Sequence, residues 1–212
     1  MAAVTVLVVL VVGGGVGLQF WRTHRLPAAA VPAVLVDDAP QALAAGQPIR
    51  LGAADAPVTV QLYEDFHCPH CVDFADGLGP TLTAAEAAGT VRVELYPMAF
   101  VDAGSAPAAN AMACATEAGF GARYHHGLFV NHTLLWNDRQ LLDLAGKVGA
   151  RSDGAFATCV TTDAKAGWIE SINAAADRNG VTQTPTMFLD GAPVDLGSLT
   201  PESLQSMIDT KR

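Results

Sequence analysis

The alternation of apolar and polar residues predicts a strand that runs directly into a helix. Val58, Val60 and Leu62 alternate with polar residues, which is the spacing of a β-strand with one buried face. From Cys71 onward the apolar positions follow one face of a helix instead: Cys71, Phe74, Ala75 and Leu78. The residues between the two patterns, 65–70, are therefore expected to form the turn from the strand into the helix.

A β-α-β unit is predicted around this turn. Residues 49–51 form a short first strand, and Gly77, Gly79 and Pro80 interrupt the helix before residues 81–88 resume it. Residues 91–95 then alternate as a returning strand. Such a unit is nearly always right-handed, so the second strand is expected to lie parallel to the first.

The second half of the chain predicts a helical layer and then a hairpin. Helical spacing extends over residues 105–180, with Ser105 and Asp153 as N-cap candidates and with glycines as helix ends, at Gly119, Gly149 and Gly180. Asp190 and Gly191 form a strong turn signal after residues 184–189.

The hairpin and the closing helix complete the predicted fold. Pro193 restricts the returning strand to a sheet edge, and residues 202–211 close the chain as a helix. We expect an α/β fold with a four-stranded mixed sheet and helices on both faces.

Composition and charge limit the classes of function. The chain has 212 residues, of which 50% are hydrophobic, enough for one domain with a sizeable core and a leader. Its formal charge is −9, and its basic residues form no cluster beyond residues 22–25. Nucleic acid is therefore not expected as a partner.

The N-terminal residues 1–21 predict a membrane anchor or a signal segment. Residues 2–18 are apolar and uncharged, and aromatic and basic side chains follow at Phe20, Trp21, Arg22, His24 and Arg25. This charge order alone would place the domain on the cytoplasmic side; a natural start further upstream would restore an outward orientation. Residues 22–47 are rich in proline and alanine and predict a linker, so the domain is expected to cover residues 48–212.

The two cysteines of the turn indicate redox chemistry. Cys68 is expected at the helix N-terminus, where free N–H groups and the helix dipole stabilise a thiolate, and Cys71 one turn further inside. We therefore expect Cys68 to be exposed and reactive and Cys71 to be sheltered. Pro69 suits the first helical turn, and His70 can stabilise the Cys68 thiolate, which makes the disulfide easier to reduce.

Two other interpretations of this motif are less favoured. A purely structural disulfide across two residues would be strained. A metal site would need adjacent ligands, namely His67, Cys68, His70 and Cys71, and no second pair of cysteines or histidines lies nearby in the sequence. We therefore expect no metal and no cofactor.

The chain resembles the DsbA-type thiol-disulfide oxidoreductases of the thioredoxin superfamily, in their membrane-anchored bacterial form. The resemblance rests on Asp65-Phe66-x-Cys68-Pro69-His70-Cys71, on the helical insertion of about residues 105–180, and on Thr184-Pro185-Thr186. It implies a thioredoxin-like fold, with the insertion between the β-α-β unit and the C-terminal hairpin and helix.

The resemblance also implies roles for particular residues. Pro69, Thr184 and Pro185 would bind substrate, with Pro185 in a cis peptide bond against the active disulfide. Asp65, and less securely Glu64, would transfer protons near the buried thiol; a solvated carboxylate at a strand end is the alternative.

The remaining cysteines, Cys114 and Cys159, are expected to form a structural disulfide. They are left over once the motif has used the other two, and an exported domain would oxidise them if they lie within reach. Two separate buried thiols are the alternative.

These features together predict an oxidase that donates the Cys68–Cys71 disulfide to reduced exported proteins. By resemblance, the reoxidising partner is a quinone-linked membrane protein of the DsbB or vitamin K epoxide reductase-like type. The expected location is the cell membrane, with a single-pass anchor and an extracytoplasmic domain, or secretion if the leader is cleaved. There are two alternatives to an oxidase. One is a disulfide reductase or isomerase, and the other is a non-enzymatic copper- or zinc-binding chaperone.

Overall fold

The computed structural model of this chain describes residues 39–132 and 136–211. The predicted anchor, residues 1–21, lies outside the described residues, as does most of the predicted linker, residues 22–47. Within the two described ranges, no helix combines the length and the apolar character needed to cross a membrane.

A mixed sheet of five strands forms the centre of the described residues, in the order β1-β3-β2-β4-β5. β2 and β3 are parallel, and the other neighbouring pairs are antiparallel. The strands are β1 (Ile49–Gly52), β2 (Val58–Glu64), β3 (Val91–Pro97), β4 (Thr186–Leu189) and β5 (Ala192–Pro193). The expected count of four strands was one too few, because the returning strand of the predicted hairpin pairs with β4 as a fifth strand, at the sheet edge that Pro193 indicated.

Eight α-helices are described, and they cover the sheet. They are α1 (Pro69–Gly77), α2 (Gly79–Ala87), α3 (Ser105–Glu117), α4 (Gly121–Val130), α5 (Asp138–Lys147), α6 (Gly154–Thr161), α7 (Ala166–Arg178) and α8 (Pro201–Asp209). The predicted interruption of the first helix falls at Leu78, between α1 and α2. Helices α3 to α7 form the predicted helical layer.

Burial along β2 explains how the sheet delivers the motif. Val58, Val60 and Leu62 are buried, and the alternation stops at the end of the strand, where Tyr63 and Glu64 are both buried. Helices therefore cover both faces of the strand at the point where the chain turns into the motif. The motif lies on the most enclosed end of the central strand.

A disulfide and an aromatic cluster join the helices of the layer. Cys114 on α3 and Cys159 on α6 are joined with a Cα–Cα distance of 5.9 Å. The rings of Phe120, Tyr124 and Phe156 meet edge to face, with centroids 5.0–5.8 Å apart. Both features connect α6 to the helices that pack on the sheet.

The observed helix ends agree only in part with those predicted from the sequence. Gly119, Gly149 and Gly180 have positive φ values of 83°, 76° and 70° after their helices, as helix ends often do. Ser105 is not an N-cap: Gly104 takes that position, and the Ser105 hydroxyl donates to a carboxylate from the motif instead. Asp153 is an N-cap without a side-chain bond to its helix, because its carboxylate pairs with Arg151.

The last residues of the predicted linker lie against the domain. The side chain of Gln41 hydrogen-bonds with the backbone N–H and carbonyl of Arg50 on β1. Gly46 N donates to Ser171 Oγ at 2.7 Å, and Trp168 Nε1 donates to the Ala44 carbonyl at 3.1 Å. A composition rich in proline and alanine did not reveal these contacts, because each of them involves a backbone group.

Candidate active site

Cys68 occupies the N-cap position of α1, at the end of the turn that follows β2. Pro69 is the first helical residue, and the N–H groups of Cys71 and Val72 donate to the Cys68 carbonyl at 3.0 and 3.2 Å. Cys68 is thus placed where the helix dipole favours a thiolate. Both cysteines are free thiols in this structure.

The two thiols differ in burial less than the sequence suggested. Cys68 is only 6% exposed and Cys71 is fully buried, so the expectation of an exposed Cys68 was wrong. Its cover is the loop before β4, where Cys68 Sγ donates to the Thr184 carbonyl at 3.3 Å and the Thr184–Pro185 bond is cis. Cys68 remains the thiol nearer the surface.

A shallow groove runs beside Cys68. Residues of α1, of the cis-proline loop and of the segment before α8 line it, including His70, Phe74, Leu78, Thr184, Pro185 and Leu199. Its walls are mostly apolar, and Pro69 is exposed next to it. An extended chain lying in this groove would pass next to the Cys68 sulfur.

Cys71 lies in surroundings that oppose its ionisation. Burial raises the pKa of the Cys71 thiol far above its usual range, and the negative charge of Glu64 raises it further. The backbone N–H of Asp65 points at Cys71 Sγ from 3.5 Å and opposes this shift only weakly. Cys71 is therefore a protonated thiol when the pair is reduced.

Asp65 is a buried carboxylate that accepts four hydrogen bonds. Oδ1 accepts from His67 N and Ser105 Oγ at 2.9 and 2.8 Å, and Oδ2 accepts from Phe100 N and Val101 N at 3.0 and 3.2 Å. Such a carboxylate is fully occupied as an acceptor. Through these hydrogen bonds Asp65 joins the motif turn to the segment between β3 and α3.

Glu64 has a different environment. It is 1% exposed, its Oε1 contacts His125 Nε2 on α4, and its charge acts on Cys71. Asp65 and Glu64 are thus both buried but have different partners, and the proton transfer expected of them stays a prediction.

His67 forms a second pair beside the motif. Its Nδ1 lies 2.9 Å from a carboxylate oxygen of Asp102, and its side chain is almost completely buried. Desolvation alone would raise the pKa of the Asp102 carboxyl. Hydrogen bonds from Gly104 N–H and from His67 outweigh it and hold that pKa below its usual range. The pair is therefore an ionised carboxylate holding an imidazole.

His70, by contrast, is exposed on the surface of α1. Its side chain is 83% exposed, and its Nδ1 lies 3.9 Å from an Asp73 carboxylate oxygen. No group of three or more His, Cys, Asp or Glu side chains that could hold a metal ion occurs within the described ranges.

The family of the chain follows from its sequence together with this geometry. A family model described as thioredoxin matches residues 44–210. The chain belongs to the thioredoxin family. Family membership and the Cys68–Cys71 pair at a helix N-terminus make it a thiol-disulfide oxidoreductase. No curated protein matches the chain.

Solved structures of related enzymes share the fold of this thioredoxin-family chain. Reduced DsbA from Mycobacterium tuberculosis is 23% identical, with a TM-score of 0.67, over 77% of this chain and 91% of that one. MdbA from Actinomyces oris, a thiol-disulfide oxidoreductase, is 20% identical, with a TM-score of 0.70, over 87% and 99%. Oxidised BdbD from Bacillus subtilis is 21% identical, with a TM-score of 0.65, over 82% and 98%. The predicted thioredoxin-like fold with a helical insertion is confirmed.

Several residues at the site of this thioredoxin-family enzyme were not singled out from the sequence. They are Asp102 and Gly104 before α3, Ser105 at its start, and His125 on α4. Each lies more than 30 residues from its partner in the motif turn or at the end of β2. No local pattern marks the first three, because Asp102 and Ser105 are separated by Ala103 and Gly104 in an irregular segment.

The contact of Gly104 with His67 gives a stability prediction. A Cβ built on Gly104 would lie 2.2 Å from His67 Cε1, so Gly104→Ala must displace the buried ring. We expect a loss of about 1–3 kcal/mol in the free energy of unfolding, as overpacking usually costs. Urea unfolding followed by circular dichroism measures it.

Gly77→Ala is the matched control for this variant. A Cβ at Gly77 meets nothing within 4 Å, and its backbone is helical, so this variant should be neutral or gain up to about 1 kcal/mol. Equal stability of the two variants would show that the His67 ring moves aside without cost.

Proposed function

We propose that the enzyme is an oxidase that donates the Cys68–Cys71 disulfide to reduced proteins. The observation that carries this proposal is the difference between the two thiols: Cys68 caps a helix N-terminus, whereas Cys71 is fully buried beside the charge of Glu64. A helix N-terminus stabilises the thiolate of the reduced form, and stabilising the reduced form makes a disulfide more oxidising.

The reaction is a pair of exchanges. A substrate thiolate attacks Cys68 Sγ, the Cys68–Cys71 bond breaks, and a proton converts the departing Cys71 sulfur into a thiol. The second substrate thiolate then attacks the substrate sulfur of the mixed disulfide and releases Cys68 as a thiolate. The substrate gains a disulfide, and the enzyme ends with two reduced cysteines.

Substrate docking is assigned to the groove beside Cys68. The Thr184 carbonyl accepts a hydrogen bond from Cys68 Sγ, Pro185 lines the groove, and Pro69 is exposed between Cys68 and the groove residue His70. A substrate strand lying along residues 184–185 would place its own sulfur next to Cys68. The exposed apolar walls suit unfolded chains, which present apolar side chains near their reduced cysteines.

The proposed substrates are exported proteins, and the proposed location is the outer side of the cell membrane. The apolar residues 2–18 and the Cys114–Cys159 bridge support this, because disulfides persist in oxidising compartments. Repeated turnover needs a partner that removes two electrons, for which we propose a quinone-linked membrane protein of the DsbB or vitamin K epoxide reductase-like type.

The reduction potential of the Cys68–Cys71 pair tests the direction of the reaction. Equilibration with glutathione should give a value well above that of a reductase such as thioredoxin, which is about −270 mV, and toward that of DsbA, about −120 mV. A value near the thioredoxin potential would make the protein a reductase. Stoichiometric copper or zinc binding by the reduced enzyme, without peptide oxidation, would instead support a metal chaperone.

Replacing His70 tests whether its imidazole contributes to the oxidising power. We expect His70→Ala to lower the potential by tens of millivolts, where 30 mV corresponds to about 1.4 kcal/mol, because the first helical turn loses an imidazole two residues from the Cys68 thiolate. His132→Ala is the control, since His132 hydrogen-bonds its ring to the Phe129 carbonyl, away from the motif. An unchanged potential in His70→Ala would remove His70 from the mechanism.

A further inference from the structure

The residue that directly precedes the nucleophile is tied to the loop that follows β3. His67 Nδ1 lies 2.9 and 3.0 Å from the two carboxylate oxygens of Asp102. The backbone N–H of His67 donates to Asp65 Oδ1 at 2.9 Å, and Asp65 is itself bonded to the same loop. His67 is therefore held through both its ring and its backbone, one residue before Cys68.

The His67 ring lies in a closely fitted place. Its side chain is 5% exposed, and a Cβ on Gly104 would lie 2.2–2.8 Å from three of its ring atoms. The Asp102 carboxylate is fixed in turn, because Oδ1 accepts from Gly104 N at 2.7 Å. Within residues 39–132 and 136–211, His67 Nε2 is buried and has no hydrogen-bond partner. The hydrogen bond to Asp102 is therefore what orients the ring.

The order of the strands places this tie and the groove on opposite sides of Cys68. In the sheet, β3 and β4 flank β2 on its two sides. Asp102 follows β3, Thr184 precedes β4, and Cys68 follows β2 between them. The Cys68 sulfur points to the β4 side, where it donates to the Thr184 carbonyl at 3.3 Å. The turn is thus held from one side while its sulfur faces the groove on the other.

Disulfide exchange depends on the direction of attack. A substrate thiolate approaches Cys68 Sγ along the line of the Cys68–Cys71 bond, a new S–S bond forms as that bond breaks, and the electron pair leaves on Cys71 Sγ. A polypeptide lying in the groove has its direction of approach fixed, so the enzyme disulfide must already point along it. A small free thiol can approach from any open direction and needs no such alignment.

We propose that His67 and Asp102 are positioning residues that hold the Cys68–Cys71 disulfide in line with a polypeptide bound in the groove. This inference rests on the proposed exchange at Cys68. Both residues act through the backbone that joins His67 to Cys68. The pair thereby makes the enzyme selective for polypeptide thiols over small ones.

The test compares two reductants of the oxidised enzyme at pH 7, an unstructured peptide with two cysteines among leucines and dithiothreitol. Acid quenching and mass spectrometry give the rate of enzyme reduction at each concentration. For His67→Ala and for Asp102→Ala we expect the limiting rate with peptide to fall roughly tenfold, because displacement of a reacting group by about 1 Å can cost up to about 100-fold. The half-saturating peptide concentration and the dithiothreitol rate should change by less than about twofold.

Three further variants separate positioning from packing. His67→Asn can place an amide N–H where Nδ1 lies, so its limiting rate with peptide should stay within about threefold of wild type. Combining His67→Ala with Asp102→Ala should be no slower than either change, since both remove one contact. Arg151→Ala breaks an exposed ion pair with Asp153 before α6, and it should match wild type with both reductants.

The two reductants also decide between the outcomes. An equal loss of rate with peptide and with dithiothreitol would overturn the proposal, because it would show a general effect on the disulfide or on folding. A raised half-saturating concentration with an unchanged limiting rate would overturn it as well, by making the pair part of peptide binding. Failure of the wild-type enzyme to oxidise the peptide would instead contradict the proposed oxidase.

Discussion

We expect alanine in place of Cys68 to abolish peptide oxidation, and alanine in place of Cys71 to leave a single fast thiol that accumulates mixed disulfides. The reason is that Cys68 caps α1, where the helix N-terminus favours its thiolate, and Cys71 is buried with a strongly raised pKa. Cys71 is the neighbouring thiol of the enzyme that can resolve a disulfide between Cys68 and a partner with a single cysteine, so the loss of Cys71 traps that species.

Alkylation of the reduced wild-type enzyme measures this difference between the thiols. Iodoacetamide attacks thiolates, and the raised pKa keeps Cys71 protonated throughout the neutral range. At pH 6 we expect Cys68 to react at least roughly 100-fold faster than Cys71, as mass spectrometry of the labelled peptides would show. Equal rates at the two sites would refute the assignment of Cys68 as the nucleophile.

Removing the Cys114–Cys159 bridge should destabilise the fold more than the Gly104→Ala substitution does. The bridge closes a loop with a sequence separation of 45, for which the chain-entropy model gives about 4 kcal/mol at most. We expect Cys114→Ala with Cys159→Ala to lower the free energy of unfolding by up to about that amount. Peptide oxidation at 25 °C should change little, since the bridge joins α3 to α6 within the helical layer.

Dithiothreitol provides the control for the bridge. It should lower the stability of wild type to that of the double variant and leave the double variant unchanged. If the double variant is as stable as wild type, the bridge contributes nothing to the folded state. Trapping thiols in cells tests the compartment as well, because free Cys114 and Cys159 there would favour an inward-facing reductase.

Local patterns in the sequence were sufficient for much of the fold. The alternation of β2, the helical spacing from Cys71 and the Asp190-Gly191 turn each depend on neighbouring residues, and each element was confirmed. The returning strand at Pro193 was also predicted at a sheet edge and lies there as β5, and only the count of four strands was one too few.

The residues of the candidate site also fall into those that a local sequence pattern reveals and those that only the fold brings together. Residues in one short motif, such as Cys68 and Cys71, are visible in the sequence because their spacing carries the chemistry. The partners of Glu64 and of His67 come from the helical layer and the segment before it, and only tertiary packing brings them to the motif. The same packing covers Cys68 with the loop at Thr184, which a helix-end argument alone did not foresee.

The four hydrogen bonds at Asp65 have a consequence for the order of events during synthesis. Its donors come from His67 in the motif turn and from residues 100–105, which follow β3. A nascent chain that has emerged only as far as α1 has the motif but lacks three of these four donors. The cysteine pair therefore acquires its final surroundings only after the polypeptide beyond β3 has been made.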